Sequence, residues 1–238
     1  MAFTKLGLDS TRIFQNGLPT ELANELHEFF KERAWVLINK VEPKLLDAEQ
    51  AKELFRQARS KFDYKCPIPM NKQKGDKRAE AFLTALVNMM IERYVKGLPC
   101  DYNPHRLTTI IHDGQPLRTL ARRVDGAFPS SVNPIAIWEI KEYYYTTTFG
   151  SRVADGVYET LLDGMEIEEL REHEVIDVKH YMMVDAYFTW WRCGKAYLCR
   201  MFDMLHMGYV DEILFGREVV EEMPRIVSEW VRIYSQRN

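Results

Sequence analysis

The sequence predicts a mixed α/β protein, in which helices flank a central β-sheet and an additional helical region precedes them. Apolar residues recur at helical spacing through residues 19–62 and 79–96, and the pattern then changes to short β-rich segments between residues 107 and 145. The chain of 238 residues is 46% hydrophobic and 28% charged, a composition that supports a buried core and excludes a disordered chain. We predict an N-terminal helical region with a basic loop over residues 1–78, and a mixed-sheet core with C-terminal helices over residues 79–238.

The N-terminal region is predicted to hold two amphipathic helices, over residues 19–40 and 44–62. Between residues 63 and 78 the periodicity stops, because prolines and a glycine break the chain there. This segment is also basic, with Lys65, Lys72, Lys74, Lys77 and Arg78. It reads either as a solvated loop or as a loop that meets a phosphate backbone.

Three strands are predicted after the helix over residues 79–96. Residues 107–112 form the first strand, and Asp113-Gly114 is a strong turn signal before a second strand over residues 117–124. A proline-bounded loop leads to the third strand, residues 134–145, which is rich in isoleucine and aromatic residues.

A helix is predicted to begin with Ser151 as its cap and to break at Asp163-Gly164. Residues 175–185 are favoured as a strand followed by a helix from about Phe188, although helical spacing also runs through this segment. The tail is predicted to be helical over residues 211–236.

Composition and cysteine spacing exclude several classes of protein. No segment has the roughly 18 uncharged apolar residues of a membrane span, and the first residues lack the basic-then-apolar pattern of a secretory signal. The four cysteines form no CxxC pair, so we expect free thiols, no zinc site and a cytoplasmic protein that does not bind a membrane. The net charge of -3 is not typical of a nucleic-acid-binding protein, but the position of charge matters more than its total.

One constellation matches the chemistry of phosphodiester hydrolysis, which needs a metal ion, a positioned water and charge to meet the developing negative oxygens. Asp125 ends the second predicted strand, and Glu139 and Lys141 lie in the third. Two residues apart on a strand, Glu139 and Lys141 project from one face while Ile140 points to the other. If the two strands run antiparallel, Asp125 lies near Glu139.

Alternatives to this site exist in the sequence. The chain has four acidic-x-Lys tripeptides, which begin at Glu42, Asp63, Glu139 and Asp177. Only the tripeptide at Glu139 follows an acidic strand end and a polar loop in a β-rich frame. Glu139 and Lys141 could instead form an exposed cross-strand pair, but this strand looks buried, and buried charges without partners are costly.

The passage Val124-Asp125-Gly126 … Pro134-Ile-Ala-Ile-Trp-Glu139-Ile-Lys141 resembles the active-site hairpin of the PD-(D/E)XK nuclease superfamily, which includes most type II restriction endonucleases. Val124 stands where the name-giving proline would be. The resemblance implies a restriction-endonuclease-like α-β-β-β-α-β core, which residues 79–186 accommodate. It also implies that Asp125 and Glu139 bind Mg²⁺ with help from the Ile140 carbonyl, that Mn²⁺ can substitute, and that Lys141 serves the nucleophilic water.

The function implied by this resemblance is a Mg²⁺-dependent endonuclease acting on double-stranded DNA, of the type II restriction kind. Such an enzyme would be a homodimer and would be paired with a DNA methyltransferase. The alternatives are a repair, recombination or phage-type nuclease that recognises DNA structure, an RNA nuclease, and a non-catalytic DNA-binding protein on a nuclease fold.

Additional site residues are predicted around this hairpin. Some members of the superfamily carry a further carboxylate on the first core helix, which here would be Glu80 or Glu92, although a solvated helix residue is the more common role for such a glutamate. Candidate DNA contacts are Lys72, Lys74, Lys77, Arg122, Arg123, Tyr143, Ser151 and Arg152. For these residues the alternative roles are solvated charge, strand packing and an ordinary helix cap.

Overall fold

The computed structural model describes residues 10–71, 79–146 and 149–237. The chain forms two compact units, one up to Pro43 and one from Lys44 onward. The predicted boundary lies at residue 78, whereas residues 44–71 belong to the same unit as the sheet.

Among its described residues, the first unit contains a two-stranded hairpin and one α-helix. Strands β1 (Phe14–Gln15) and β2 (Leu18–Pro19) are antiparallel, and helix α1 spans Glu21–Val36. Thr20 caps this helix, because its side chain accepts a hydrogen bond from the backbone N–H of Ala23. A π-helical turn, Leu37–Val41, continues the helix, and a short 3₁₀ turn, Glu42–Lys44, follows it.

The second unit contains five helices and six strands among its described residues, in a mixed α/β order as predicted. In chain order they are α2 (Ala48–Arg59), α3 (Phe82–Tyr94), β3 (Thr109–His112), β4 (Gln115–Thr119), β5 (Gly126–Phe128), β6 (Ala136–Glu142), α4 (Ser151–Glu174), β7 (Lys179–Asp185), α5 (Lys195–His206), β8 (Glu212–Phe215) and α6 (Glu218–Arg237). A π-helical turn, Phe188–Cys193, precedes α5.

The main sheet has the strand order β5-β6-β7-β8. Strand β5 is antiparallel to β6, and β6, β7 and β8 are mutually parallel neighbours connected through α4 and α5. Parallel neighbours require such crossover helices, which places α4 and α5 outside the sheet.

The predicted strand over residues 117–124 is wrong in extent and in partner. Strand β4 ends at Thr119 and pairs only with β3, in a separate hairpin. The strand that pairs with β6 is the three-residue β5, so Asp125 precedes a strand instead of ending one. The physical reason is that Arg122, between β4 and β5, is drawn into ion pairs beneath the sheet, which the local β pattern does not reveal.

Helices cover both faces of the main sheet. On one face α3 and α6 pack over Trp138, whose ring stacks on that of Trp230 with centroids 5.5 Å apart and planes at 11°. On the other face Ile137 packs with Ile167 and Leu170 of α4. Burial of these apolar side chains from both faces is the main stabilising contribution to the unit.

Helix α4 continues through Asp163-Gly164, where the sequence predicted a break. Gly164 packs directly against Tyr209, and a Cβ added to Gly164 would lie 2.3 Å from the Tyr209 carbonyl oxygen. Close packing therefore explains why this position in the helix is a glycine. The predicted cap is also wrong: Gly150 occupies the cap position, and no side chain in the described part of the chain caps α4.

No helix in the described part of the chain is long and apolar enough to cross a membrane. All four cysteines, Cys66, Cys100, Cys193 and Cys199, are free thiols, as the spacing predicted.

Candidate functional site

The β5–β6 hairpin brings Asp125, Glu139 and Lys141 together. The Lys141 ammonium donates a hydrogen bond of 2.7 Å to Glu139 Oε2, and the Ile140 N–H donates one of 2.8 Å to Asp125 Oδ2. Glu139 is fully buried and Lys141 is 5% exposed, whereas Asp125 lies at the surface. The site therefore has a buried ion pair and one accessible carboxylate.

The backbone of this hairpin depends on a close approach at Gly126. Gly126 lies opposite Trp138, and an added Cβ would stand 2.0 Å from the indole ring. Glycine thus permits the pairing that sets Asp125 beside Glu139. Since the N–H and C=O of one strand residue point to the same side, the Ile140 carbonyl is directed toward the side on which Asp125 lies.

Arg122, a predicted DNA contact, is a central member of the site through its ion pairs with carboxylates. Its guanidinium lies 3.0 Å from Glu139 Oε1, 3.3 Å from Glu159 Oε2 and in hydrogen-bond contact with Asp163 Oδ2. Glu159 and Asp163 come from α4, so the sequence around Arg122 gives no sign of these ion pairs. Arg122 neutralises buried carboxylates, which are costly without a partner.

Carboxylates outnumber cations around the hairpin. The described charged groups that interact here comprise four carboxylates and two cations. The carboxylates are those of Asp125, Glu139, Glu159 and Asp163, and the cations are Arg122 and Lys141. With all groups ionised the cluster carries a surplus of negative charge, which favours a cation at its surface.

The pKa values reflect burial and this charge balance. Although Asp125 keeps an exposed surface, loss of solvent around its carboxyl, followed by repulsion from Glu139, raises its pKa to about 6. Burial, and then the same Glu139 charge, raise the pKa of Asp163 to about 7. Burial alone would raise the pKa of Glu139, but the ion pairs with Lys141 and Arg122 outweigh it and hold that pKa below its ordinary value. The pKa of Lys141 is raised because attraction to Glu139 and Asp125 outweighs its burial.

A cavity of about 930 Å³ opens beside Asp125, on the face of β6 that carries Ile140 and faces α3. Three of the predicted DNA-contact residues, Tyr143, Ser151 and Arg152, contribute to its wall. Glu139 and Lys141 project from the opposite face of β6 and do not line it. Asp125 and the Ile140 backbone thus connect the cavity with the buried ion pairs.

The other predicted residues lie apart from this cluster or outside the described residues. Glu80 lies 3.8 Å from Arg59, and Glu92 accepts hydrogen bonds from the backbone N–H groups of Lys65 and Cys66, so both carboxylates are engaged in contacts away from Asp125. Arg123 is exposed. The loop residues Lys72, Lys74 and Lys77 lie outside the described part of the chain.

Two acidic residues were missed by the sequence analysis. Asp163 was interpreted as part of a helix break, and its buried position beneath β6 gives no local signal. Glu142 accepts hydrogen bonds of 3.0 Å and 2.9 Å from the N–H and hydroxyl of Thr84, at the start of α3, where Ala81 offers no capping side chain. Glu142 therefore caps α3 from the neighbouring strand.

The residues of the hairpin fit a hard divalent cation in the chemistry of their donors. Asp125, Glu139 and the Ile140 carbonyl are oxygen ligands, and Mg²⁺ is commonly bound by one or two carboxylates plus water. Glu139 Oε1 is buried without a hydrogen bond in the described structure, although Arg122 lies 3.0 Å away. No group of three or more His, Cys, Asp or Glu side chains suited to a metal occurs among the described residues, so a metal here would rely on backbone oxygen and water as well.

Comparison with known proteins identifies the chain at the level of its family. A search of curated proteins and a search of solved structures each found no match. A protein-family comparison matches residues 46–230 to a domain of unknown function, DUF7687, and these residues include both the sheet and the hairpin site. Because this match covers more than half of its length, the chain belongs to the DUF7687 family.

Proposed function

We propose that the chain is a Mg²⁺-dependent nuclease of the PD-(D/E)XK type that hydrolyses phosphodiester bonds of double-stranded DNA. The observation that carries the proposal is the convergence of Asp125, Glu139 and Lys141 on the β5–β6 hairpin. The order α3-β5-β6-α4-β7, with β7 parallel to β6, also supports a restriction-endonuclease-like core. The β3–β4 hairpin departs from that core, since it forms its own sheet instead of adding a strand to the main sheet.

Each residue of the hairpin has a specific role in this proposal. Asp125, Glu139 and the Ile140 carbonyl would hold Mg²⁺, which supplies charge stabilisation and activation of the attacking water. Lys141 stays protonated beside Glu139 and offsets negative charge that develops on the phosphoryl oxygens. Arg122 keeps Glu139 ionised through its direct ion pair.

Access to the site comes from the side of Asp125. Glu139 and Lys141 are buried, so the accessible carboxylate and the adjoining cavity are where a phosphodiester approaches. Arg123, Ser151 and Arg152 are exposed around the hairpin and the cavity, and they supply polar contacts for a DNA backbone.

A second candidate function rests on the burial of the same residues. These side chains already form a network of ion pairs under the sheet, in which Glu139 pairs with Lys141 and Arg122, and Arg122 pairs with Asp163. Such a network can stabilise a fold without taking part in catalysis. In that case the chain is a non-catalytic DNA-binding protein built on a nuclease-like fold.

A cleavage assay separates the two functions. Purified protein is incubated with circular plasmid and with linear phage DNA in Mg²⁺ or Mn²⁺, and EDTA serves as the metal-free control. Asp125→Asn keeps an oxygen acceptor for the Ile140 N–H but removes the charge, and we expect it to lower the cleavage rate by about 100-fold or more. Lys141→Met is expected to act similarly, because it removes the positive charge that is paired with Glu139 behind the hairpin.

The matched control is Lys179→Met. Lys179 closes another acidic-x-Lys tripeptide, Asp177-Val178-Lys179, and forms ion pairs with Asp177 and Asp211 instead of with the hairpin. This variant is expected to cleave at the wild-type rate. Absence of cleavage with either metal on every duplex substrate, in folded wild-type protein, would refute the nuclease proposal and favour the binding protein.

The products distinguish a restriction enzyme from other nucleases. Discrete fragments support a type II restriction endonuclease, and we then expect a homodimer by light scattering and a DNA methyltransferase encoded nearby. A metal-dependent smear, or cleavage confined to branched and flapped DNA, supports a repair, recombination or phage-type nuclease.

A further inference from the structure

A second, smaller cavity lies beside α2, and we call it the α2 cavity. Its volume is about 370 Å³. Three cations, Lys52, Arg56 and Arg59, line it together with one carboxylate, Glu80. The charged side chains of its lining therefore carry a surplus of positive charge, in a chain whose formal net charge is -3. A local surplus of this kind attracts an anion.

The three cations lie on one face of α2. They are separated by four and three residues, which is the spacing of neighbours on a helical face, and they span about 10 Å along the helix axis. The apolar part of the lining is formed by Phe55 of α2 and Phe82 of α3. Both rings are buried, and their centroids are 5.7 Å apart, so α2 is anchored to the start of α3 with its cations directed into the cavity.

The cations of the α2 cavity are only weakly neutralised by the protein. Arg56 is exposed and forms no ion pair within the described part of the chain. The nearest contact of Arg59 with Glu80 is 3.8 Å, and Lys52 lies 4.0 Å from Glu49, whose side chain is 84% exposed. These distances are too long for hydrogen bonds, and such exposed pairs contribute little. The guanidinium and ammonium donors are therefore available to an external anion.

A phosphate group of a nucleic-acid backbone matches this chemistry. A phosphodiester carries one negative charge and several acceptor oxygens, and a guanidinium group donates two parallel hydrogen bonds to such oxygens. A row of cations about 10 Å long also suits a polymer that repeats this charge along its length.

The α2 cavity borders the larger cavity beside Asp125. Glu80 lines the α2 cavity, and Ala81, the next residue, lines the larger one. A nucleic-acid strand that lies at Asp125 and continues past the start of α3 therefore reaches Lys52, Arg56 and Arg59.

We propose that the α2 cavity binds backbone phosphate of the substrate DNA, outside the phosphodiester that is cleaved. Arg56 and Arg59 donate hydrogen bonds to the phosphate oxygens, and Lys52 adds a positive charge. This proposal rests on the nuclease function above and specifies how the duplex is held, since contacts to phosphate fix its position without reading its sequence.

A binding experiment without metal tests the α2 cavity separately from catalysis. The affinity for a fluorescently labelled duplex is measured by polarisation in EDTA at several NaCl concentrations. Arg56→Gln is expected to lower the affinity about threefold to tenfold at low salt, equally for duplexes of different sequence. It is also expected to reduce the slope of log affinity against log salt by about one, because one phosphate contact is lost. Melting temperatures of all variants are measured alongside.

Two further variants make the test specific to the charge in the cavity. Glu80→Gln removes the carboxylate of the lining and is expected to raise the affinity about twofold to fivefold. Lys52→Gln is expected to act in the same direction as Arg56→Gln and serves in its place if that protein does not fold. The matched control is Arg200→Gln on α5, an exposed arginine that lines neither cavity, and it is expected to bind as wild type.

The outcomes separate this proposal from the nuclease function. Wild-type affinity and salt slope in the folded cavity variants would overturn the phosphate site even if the protein cleaves DNA. A lowered melting temperature with unchanged affinity would also overturn it, because the cations would then act only on the dipole of α2. Calorimetric titration with inorganic phosphate covers the remaining source of this ligand: binding that needs Arg56, without any effect of Arg56 on DNA affinity, would overturn the assignment to a backbone. Duplex binding that depends on Arg56, in a protein that cleaves nothing, would retain the site and refute the nuclease.

Discussion

Replacement of Asp163 by asparagine tests the charge balance beneath the sheet. The Asp163 side chain is completely buried against Arg122, and burial together with Glu139 raises its pKa to about 7. A group whose pKa is raised by folding stabilises the fold below its unfolded-state pKa, and this contribution is lost as the pH rises through the folded-state value. A rise from the ordinary aspartate value to about 7 corresponds to about 4 kcal/mol when the loss is complete.

Asparagine cannot ionise, so the variant does not lose this stabilising free energy as the pH rises. Between about pH 5 and about pH 8, the free energy of unfolding of Asp163→Asn is expected to rise relative to wild type by about 2–3 kcal/mol. The loss of the ion pair with Arg122 also shifts the free energy of unfolding of the variant by a constant amount. The slope against pH of the difference in this free energy between variant and wild type therefore reports the ionisation of Asp163. The assay is urea unfolding followed by tryptophan fluorescence at several pH values.

The control for this prediction is Glu159→Gln. Glu159 contacts the same guanidinium, but its side chain is 49% exposed, and exposed ion pairs contribute only about 0–1 kcal/mol. A difference between Asp163→Asn and wild type that stays flat with pH, or that matches the control, would refute the assigned pKa and its cause.

Three other perturbations test packing, capping and thiol reactivity. Gly164→Ala is expected to lower the free energy of unfolding by about 1–3 kcal/mol, because the added methyl group meets the Tyr209 carbonyl; thermal and urea unfolding measure this. Glu142→Ala is expected to cost about 1–3 kcal/mol in the same assays, since donors at the start of α3 lose their acceptor. At about pH 8 a disulfide reagent is expected to modify exposed Cys193 and to spare Cys66, whose pKa burial raises to about 12; absorbance of the released thiol follows this.

Each of these expectations has a contrasting measurement. Gly150→Ala adds a methyl group with no described atom within 4 Å and is expected to cost at most about 1 kcal/mol, from the cap preference alone, so a larger loss that equals that of Gly164→Ala would contradict the packing explanation. An unchanged melting temperature in Glu142→Ala would show that Glu142 does not cap α3. Labelling of Cys66 in the native protein at the rate of Cys193 would contradict its burial.

The grouping of Asp125, Glu139 and Lys141 could be predicted from sequence because it depends on short-range rules. Alternation along a strand puts Glu139 and Lys141 on one face, and a loop of modest length lets the preceding segment return beside them. The overall α/β order was predictable for a similar reason, since helical and strand periodicities are local properties.

The remaining features depend on contacts between distant parts of the chain. Arg122 and Asp163 are 41 residues apart, and no pattern near either residue indicates their ion pair. The same is true of Gly164, whose neighbour Tyr209 explains why the helix continues where local glycine chemistry suggested a turn. Tertiary packing overrode local propensity at these positions.

The stack of Trp138 on Trp230 has a consequence for the order in which the chain folds during synthesis. Trp138 adjoins Glu139 on β6, and its ring is covered by a residue of α6 that is 92 positions later in the sequence. Because distant pairings must wait until both partners have left the ribosome, the Trp138 ring lacks this part of its cover until residue 230 has emerged. Ribosome-bound chains stalled before that residue are therefore expected to expose the part of β6 that α6 covers to chaperones and proteases.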